Sequence, residues 1–352
     1  MANISSLWAR AYLQAICSDP RFGSAMGVAP LWLAQETNAE GVSQHSVVAL
    51  PAARVTIQMA AEMFPRLAVI GPAGAGKTTL LRQLTRGLAE AILAEEAQAR
   101  RGSAITPLPL YIELSQFEHT IEATLAASFN LGMPPSLGDV MRERPLLLLL
   151  DGLEELAPEV QLVGLSALAH TIAQLGTQVR WIATCRPENL PLFRPWLGVA
   201  EVRNIRPLSP RDVMAFLQRQ HADTLAAWLK HADDLVALAS RMCWLAALPQ
   251  LDLSPPYSRG RLMAKWLAAV LAATTEAHPT MGCPATLEAL PALADALDQR
   301  RQDTLTIAEV GALDTAMPAT AQCLIGAGIL TYNAERRQVK FAHPVLRSFA
   351  QA

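Results

Sequence analysis

The stretch LAVIGPAGAGKTT, residues 67–79, decides how the rest of the chain is read. A short apolar run, residues 67–70, leads into Gly71, Gly74 and Gly76, then Lys77, Thr78 and Thr79. The segment satisfies G-x-x-x-x-G-K-[ST], and a Leu/Ala/Arg/Glu-rich segment of helical character follows it over residues 78–100. Strand, glycine-rich loop and helix in that order make an anion cradle. The glycines let the backbone wrap a phosphate without Cβ clashes, and the helix start adds its positive end. Gly71, Pro72, Ala73, Gly74, Ala75, Gly76, Lys77, Thr78 and Thr79 are therefore the candidate phosphate-binding residues. Lys77 is placed to bridge β- and γ-phosphates, and the Thr78 hydroxyl is placed to ligate Mg²⁺.

Outward from this loop, short apolar runs at residues 108–114, 146–150 and 179–184 alternate with helix-sized segments. Buried strands alternating with helices predict an α/β fold with a parallel sheet covered on both faces. The second run reads LLLLLDGLEEL, residues 146–156. Five leucines ending in an acid describe a central strand with a carboxylate at its C-terminal tip, where ligands of such sheets bind. Asp151 is the candidate Mg²⁺ carboxylate, acting through water. Gly152 cannot act as a base, so Glu154 and Glu155 are the candidates to orient or deprotonate an attacking water. The third run ends in Thr184, Cys185, Arg186 and Pro187. An arginine at the tip of a strand beside the Asp151 strand can face a γ-phosphate and report it, which adds Arg186 to the catalytic candidates with Lys77.

Before the loop, residues 7–17 are amphipathic, residues 19–30 are punctuated by Gly and Pro, and residues 38–46 read as a polar loop. After residue 205 strand-like runs nearly vanish. Ser209 predicts an N-cap for a helix over residues 210–220, with Pro210 in its first turn and Asp212 near its positive end. More helical pattern covers residues 222–248, and Pro255 and Pro256 mark a hinge. The remainder is helical, with one hairpin candidate: residues 329–332, a turn at 333–336, and residues 339–341.

Together these motifs resemble the NACHT family of signal-transducing ATPases, related to AAA+ proteins. The resemblance rests on GPAGAGKTT (71–79), PLPLYIEL (107–114), LLLLLDGLEEL (146–156), RWIATCRP (180–187) and VKFAHPVLRSFAQA (339–352). The small residue after Asp151, with acids three and four places on, is a mark of that family. The resemblance implies a P-loop NTPase sheet domain over residues 61–205, after a helical lead-in at 1–60. A small helical domain at 206–256 and a winged-helix domain at 257–352 would follow. It further implies an ATP/ADP switch with slow hydrolysis, in which His343 touches the β-phosphate of ADP and activation brings self-association. Effector and sensor domains would be removed or reside on separate partners, and a role in bacterial defence belongs to the same inference.

Two departures stand out. The proline that packs on adenine in the second domain has no counterpart in RMCWLAAL (241–248), which would leave that packing to Met242, Cys243 or Trp244. The glutamate and aromatic expected after the histidine are only partly supplied by LRSF (346–349).

Composition narrows the alternatives. Formal net charge is −2, so no global basic field points to specific nucleic-acid binding. No apolar run reaches the ~18 residues that span a bilayer, and no secretory signal is evident, which predicts a cytoplasmic protein. Cys17, Cys185, Cys243, Cys283 and Cys323 lack metal-ligand spacing and read as packing residues in a reducing compartment. No N-K-x-D motif supports a GTPase, no LSGGQ-like signature an ABC-type ATPase, and no substrate region a metabolic kinase. The competing reading is a nucleotide-bound interaction scaffold with negligible hydrolysis.

Overall fold

A computed structural model describes residues 4–23, 31, 33–35, 55–97, 105–117, 120–156, 161–176, 179–219, 225–226, 229, 232–248, 251, 259–277, 286–314, 316–333 and 336–351. The predicted loop at 38–46 and the prolines at 255–256 lie outside these residues. The described residues fall into two compact units. One holds residues up to Arg206 except the loop Pro72–Gly76; the other holds that loop and the residues from Pro207 onward.

The first unit is built on a six-stranded sheet. Its strands are β1 (Leu33–Gln35), β2 (Arg66–Ile70), β3 (Leu108–Glu113), β4 (Leu146–Asp151), β5 (Arg180–Cys185) and β6 (Glu201–Ile205). They lie in the order β1-β6-β2-β5-β4-β3. All pairings are parallel except β1 with β6. The all-leucine face of β4 is buried at every position, as a strand enclosed on both sides requires. Helices α1 (Ile4–Ser18), α2 (Ile57–Met63), α3 (Lys77–Ala97), α4 (Ile121–Phe129), α5 (Leu137–Glu143), α6 (Gln161–Leu175) and α7 (Leu190–Leu197) flank the sheet. Side-chain oxygens of Thr56, Thr120 and Ser136 cap α2, α4 and α5.

Four of the six strands match the predicted runs to within a residue or two. The short edge pair β1 and β6 was not predicted. Glu201-Val-Arg-Asn-Ile205 carries three polar residues in five, so its apolar signal is too weak to read as a buried strand. Helix α1 packs on α3, α4 and α5. Trp8 stacks on Tyr12 at 5.2 Å, and Tyr12 meets Phe129 edge-on at 4.9 Å.

In the second unit α8 (Pro210–Arg219) is capped as the sequence predicts: Ser209 Oγ accepts from the Asp212 amide, and Asp212 Oδ2 accepts from the Ser209 amide and hydroxyl. Helices α9 (Asp233–Ala239), α10 (Met242–Ala247) and α11 (Arg259–Ala277) follow. Trp244 and Trp266, both fully buried, pack edge-on at 5.2 Å and join α10 to α11. Then come α12 (Thr286–Gln299), β7 (Leu305–Thr306), α13 (Ile307–Gly311), α14 (Met317–Gly326), β8 (Leu330–Asn333), β9 (Gln338–Phe341) and α15 (Pro344–Ala350). The predicted hairpin is β8–β9, and β7 adds a third antiparallel strand that its two-residue length hid from the sequence. Cys17, Cys185 and Cys243 are free thiols. Cys323 is disulfide-bonded, which the packing reading of the cysteines did not foresee.

Candidate nucleotide site

Strand β2 ends at Ile70, and the Gly71 amide donates to the Cys185 carbonyl at the end of β5 (3.3 Å). Gly74 and Gly76 hold φ of +72° and +97°, which a side chain would strain. Helix α3 begins at Lys77, so Lys77, Thr78 and Thr79 form its first turn. The Lys77 ammonium donates back to the Gly71 carbonyl (2.9 Å) and lies 3.6 Å from Glu154 Oε1. Within the second unit, the Cys243 amide donates to the Gly74 carbonyl (3.0 Å). A Cβ at position 74 would come within 2.2 Å of Cys243 Sγ, so the loop needs glycine there for space as well as for conformation.

Strand β4 delivers Asp151 to its tip, and β5, lying between β2 and β4, ends beside it before Arg186. Asp151 is buried, and hydroxyl groups reach both its oxygens: Tyr111 donates to Oδ2 (2.8 Å) and Thr184 to Oδ1 (2.7 Å). The Thr184 hydroxyl in turn accepts from the Gly152 amide (2.9 Å). Arg82 Nε, one turn along α3 from Thr78, donates to the Tyr111 oxygen (3.1 Å). Burial, with the Asp151 charge alongside, holds the Tyr111 phenol well above its usual range, so it stays a donor. Glu113 ends β3 directly opposite Asp151, with Arg82 at 3.7 Å and Arg21 at 3.9 Å.

The turn after β4 separates the two glutamates. Gly152 has φ of +77°, and a Cβ there would lie 2.8 Å from Glu155 Cδ and Oε2. Glu154 Oε1 sits between Lys77 (3.6 Å) and Arg186 Nε (3.5 Å), while Oε2 is buried without a hydrogen-bond partner among the described residues. Among the described residues no cation lies within ion-pair distance of Glu155, and the Lys77 charge offsets only part of the rise in its pKa. Burial first, then the charges of Asp151 and Glu154, push its carboxyl up to about 8.

Asp151, Glu154, Glu155, Lys77 and Arg186 thus come together at one end of the sheet. His343 belongs to the second unit, where its Nδ1 caps α15 by accepting from the Val345 amide (3.3 Å). Burial, and the nearby Arg241 charge, lower its pKa from the usual value. Of the residues named for adenine packing, Met242 and Trp244 are buried, and Cys243 lies against Gly74.

The family model of the NACHT domain matches residues 66–224. The chain carries a NACHT domain. That domain is a P-loop NTPase domain, and its strand, glycine loop and helix are those described above. No curated protein matches the sequence. Among solved structures, the fold is similar to a Walker-type ATPase of Pyrococcus abyssi, at 15% identity over 83% of this chain and 92% of that one, with a TM-score of 0.43. It is also similar to Cdc6p of Pyrobaculum aerophilum, at 15% identity over 81% and 86% with a TM-score of 0.32. The Holliday junction branch migration motor RuvB of Thermotoga maritima matches at 14% identity over 78% and 84%, with a TM-score of 0.35. Such distant likeness says nothing about activity.

Tyr111, Thr184 and Arg82 escaped the motif reading of the NACHT domain. Each sits in a segment the sequence already marks: Tyr111 within PLPLYIEL, Thr184 within RWIATCRP, and Arg82 on the helix after Lys77. Nothing in the pattern says that their side chains converge on Asp151, because that depends on strand order. No group of three or more metal-ligating side chains occurs among the described residues. An all-oxygen set of one carboxylate and one hydroxyl, completed by phosphate, suits Mg²⁺, which favours few protein ligands.

Proposed function

We propose that this protein is an ATP/ADP-binding regulatory switch with slow hydrolysis. The observation that supports it best is the convergence of Lys77, Asp151, Glu154 and Arg186 at the tips of β2, β4 and β5. Lys77 and the loop 71–79 would hold the phosphates, and Thr78 with Asp151 would hold Mg²⁺, which supplies charge neutralisation at the β- and γ-oxygens when bound. Arg186 would report the γ-phosphate. Glu154 would orient the attacking water once its cations turn to phosphate. Burial pushes the Glu155 carboxyl up to about 8, so at neutral pH it would mostly carry its own proton and be unavailable to accept one from water.

In the same reading residues 61–205 form the nucleotide-binding domain after the lead-in at 1–60, with a small helical domain at 206–256. Residues 257–352 form a winged-helix domain, a reading supported by helices α12 to α15 around a three-stranded antiparallel sheet. His343 would then bind the β-phosphate of ADP in the resting state. Cytoplasmic location, self-association on activation, and a part in bacterial defence complete the proposal. No helix of the described residues is long and apolar enough to cross a membrane.

One observation favours the scaffold alternative. Glu154 is ion-paired with both Lys77 and Arg186, and burial pushes the Glu155 carboxyl up to about 8, so neither acid is free to take a proton from water. The deciding experiment denatures the purified protein, identifies the released nucleotide by chromatography, and measures turnover against a Glu154→Gln variant. Stoichiometric ADP with turnover lost in the variant supports the switch. Nucleotide with equal, near-zero rates leaves the scaffold, and neither bound nucleotide nor ATP affinity sinks both.

A further inference from the structure

We infer that Tyr111 is a positioning residue for the Asp151 carboxylate, and that helix α1 holds it in place through Tyr12. The inference rests on the reading of Asp151 as the magnesium carboxylate.

Strand β3 is the edge of the sheet, so alternate amides on its outer side have no strand to pair with. At Tyr111 that amide donates to the Tyr12 hydroxyl of α1 (2.9 Å). The same residue sends its side chain the other way along the chemistry: its hydroxyl accepts from Arg82 and donates to Asp151 Oδ2. One residue therefore links the N-terminal helix by its backbone to the metal carboxylate by its side chain. Every link in that chain is buried or partly buried, which limits competition from water.

Tyr12 is itself fixed. Trp8 stacks on it, Phe129 meets it edge-on, and the Trp8 indole donates to the Gly132 carbonyl (3.1 Å). Phe22 packs edge-on against the Tyr111 ring at 5.1 Å. Residues 8 to 22 thus grip both ends of Tyr111. A segment without any motif of its own is in this way joined to the site, two hydrogen bonds from Asp151.

Partners that orient a metal-binding carboxylate are worth about 10- to 100-fold in metal affinity. The test uses the full chain and measures ADP affinity with EDTA and again across a Mg²⁺ titration. Tyr111→Phe should bind ADP in EDTA as the wild type does, yet lose about tenfold of the gain that Mg²⁺ brings. Tyr12→Phe keeps the phenol on Asp151 and removes only the acceptor for the Tyr111 amide. It should lose about threefold of the same gain. A purely structural role would instead weaken ADP binding in EDTA and in Mg²⁺ alike, and that result overturns the inference. So does a wild-type gain that both variants retain. A wild type with ADP affinity but no magnesium gain overturns the reading of Asp151, and the inference with it.

Discussion

Asp151 and Glu154 stand on the same short segment, and the protein treats them oppositely. Asp151 is held by two neutral hydroxyls, one on each oxygen. Glu154 is held by two cations on a single oxygen, and its other oxygen lacks a partner among the described residues. Hydroxyl donors fix a carboxylate without bringing a counter-charge to it, which suits the magnesium role proposed for Asp151. Cations neutralise, so in the proposed switch Glu154 would be held back from water for as long as Lys77 and Arg186 have nothing more negative to face. Glu155 is a third case, its carboxyl pushed up to about 8 chiefly by burial. One turn thus carries three acids in three electrostatic conditions, and mutations can separate them.

The largest effect on nucleotide affinity is expected at Lys77, the cation shared between the Gly71 carbonyl and Glu154. Lys77→Ala should reduce ADP affinity at least ~100-fold, about 2.7 kcal/mol, measured by titration calorimetry. A loss smaller than tenfold would mean that the phosphates are not held here. Next is Glu155, through pH. Its folded pKa of about 8 lies above the ordinary 4.5, so the folded state binds the extra proton between those values. Stability from this group is fully present below pH 4.5 and is lost as pH rises through 8, by at most ~5 kcal/mol. Glu155→Gln should flatten that part of the profile in denaturant titrations from pH 5 to 8.5. Parallel profiles for the two proteins would show that Glu155 ionises without penalty.

Much of this comparison is legible in the sequence itself. The glycine loop, the leucine strand ending at Asp151 and the strand before Arg186 are local patterns, set by composition over a few residues. They returned as β2 with α3, β4 and β5, with small shifts at the ends. The hydroxyls on Asp151 were not legible, since Tyr111 and Thr184 come from strands on its two sides, 40 and 33 residues away. The N-terminal helix had the right periodicity, yet its grip on β3 follows from that strand being an edge. The strands β1, β6 and β7 are short or polar, and tertiary pairing rather than local pattern makes them strands.

Gly152→Ala is the third expected effect. The residue sits at φ +77°, and the added methyl would press on the Glu155 carboxyl at 2.8 Å. Backbone strain and that contact together should cost about 1–3 kcal/mol, seen as a lower denaturation midpoint. The double variant Gly152→Ala/Glu155→Ala should recover the contact portion and leave the strain. No recovery would mean that Glu155 moves aside freely and that the turn alone needs the glycine.

The smallest effect sharpens the comparison most, because it has the opposite sign from ordinary site damage. Glu154 competes with phosphate for Lys77 and Arg186, and removing its charge should release both. Pairs that keep some solvent contact are worth about 1 kcal/mol or less, so Glu154→Gln should tighten ADP by up to about fivefold while turnover falls. Asp151→Asn is the matched control: it leaves Lys77 and Arg186 paired and should show no such tightening in EDTA. Tightening in both variants would mean that any lost negative charge near the loop helps phosphate, and the distinction between hydroxyl-held and cation-held acids would fall. Tightening in Glu154→Gln alone would make the pairing itself the brake, and would place the control of nucleotide affinity in the turn after β4.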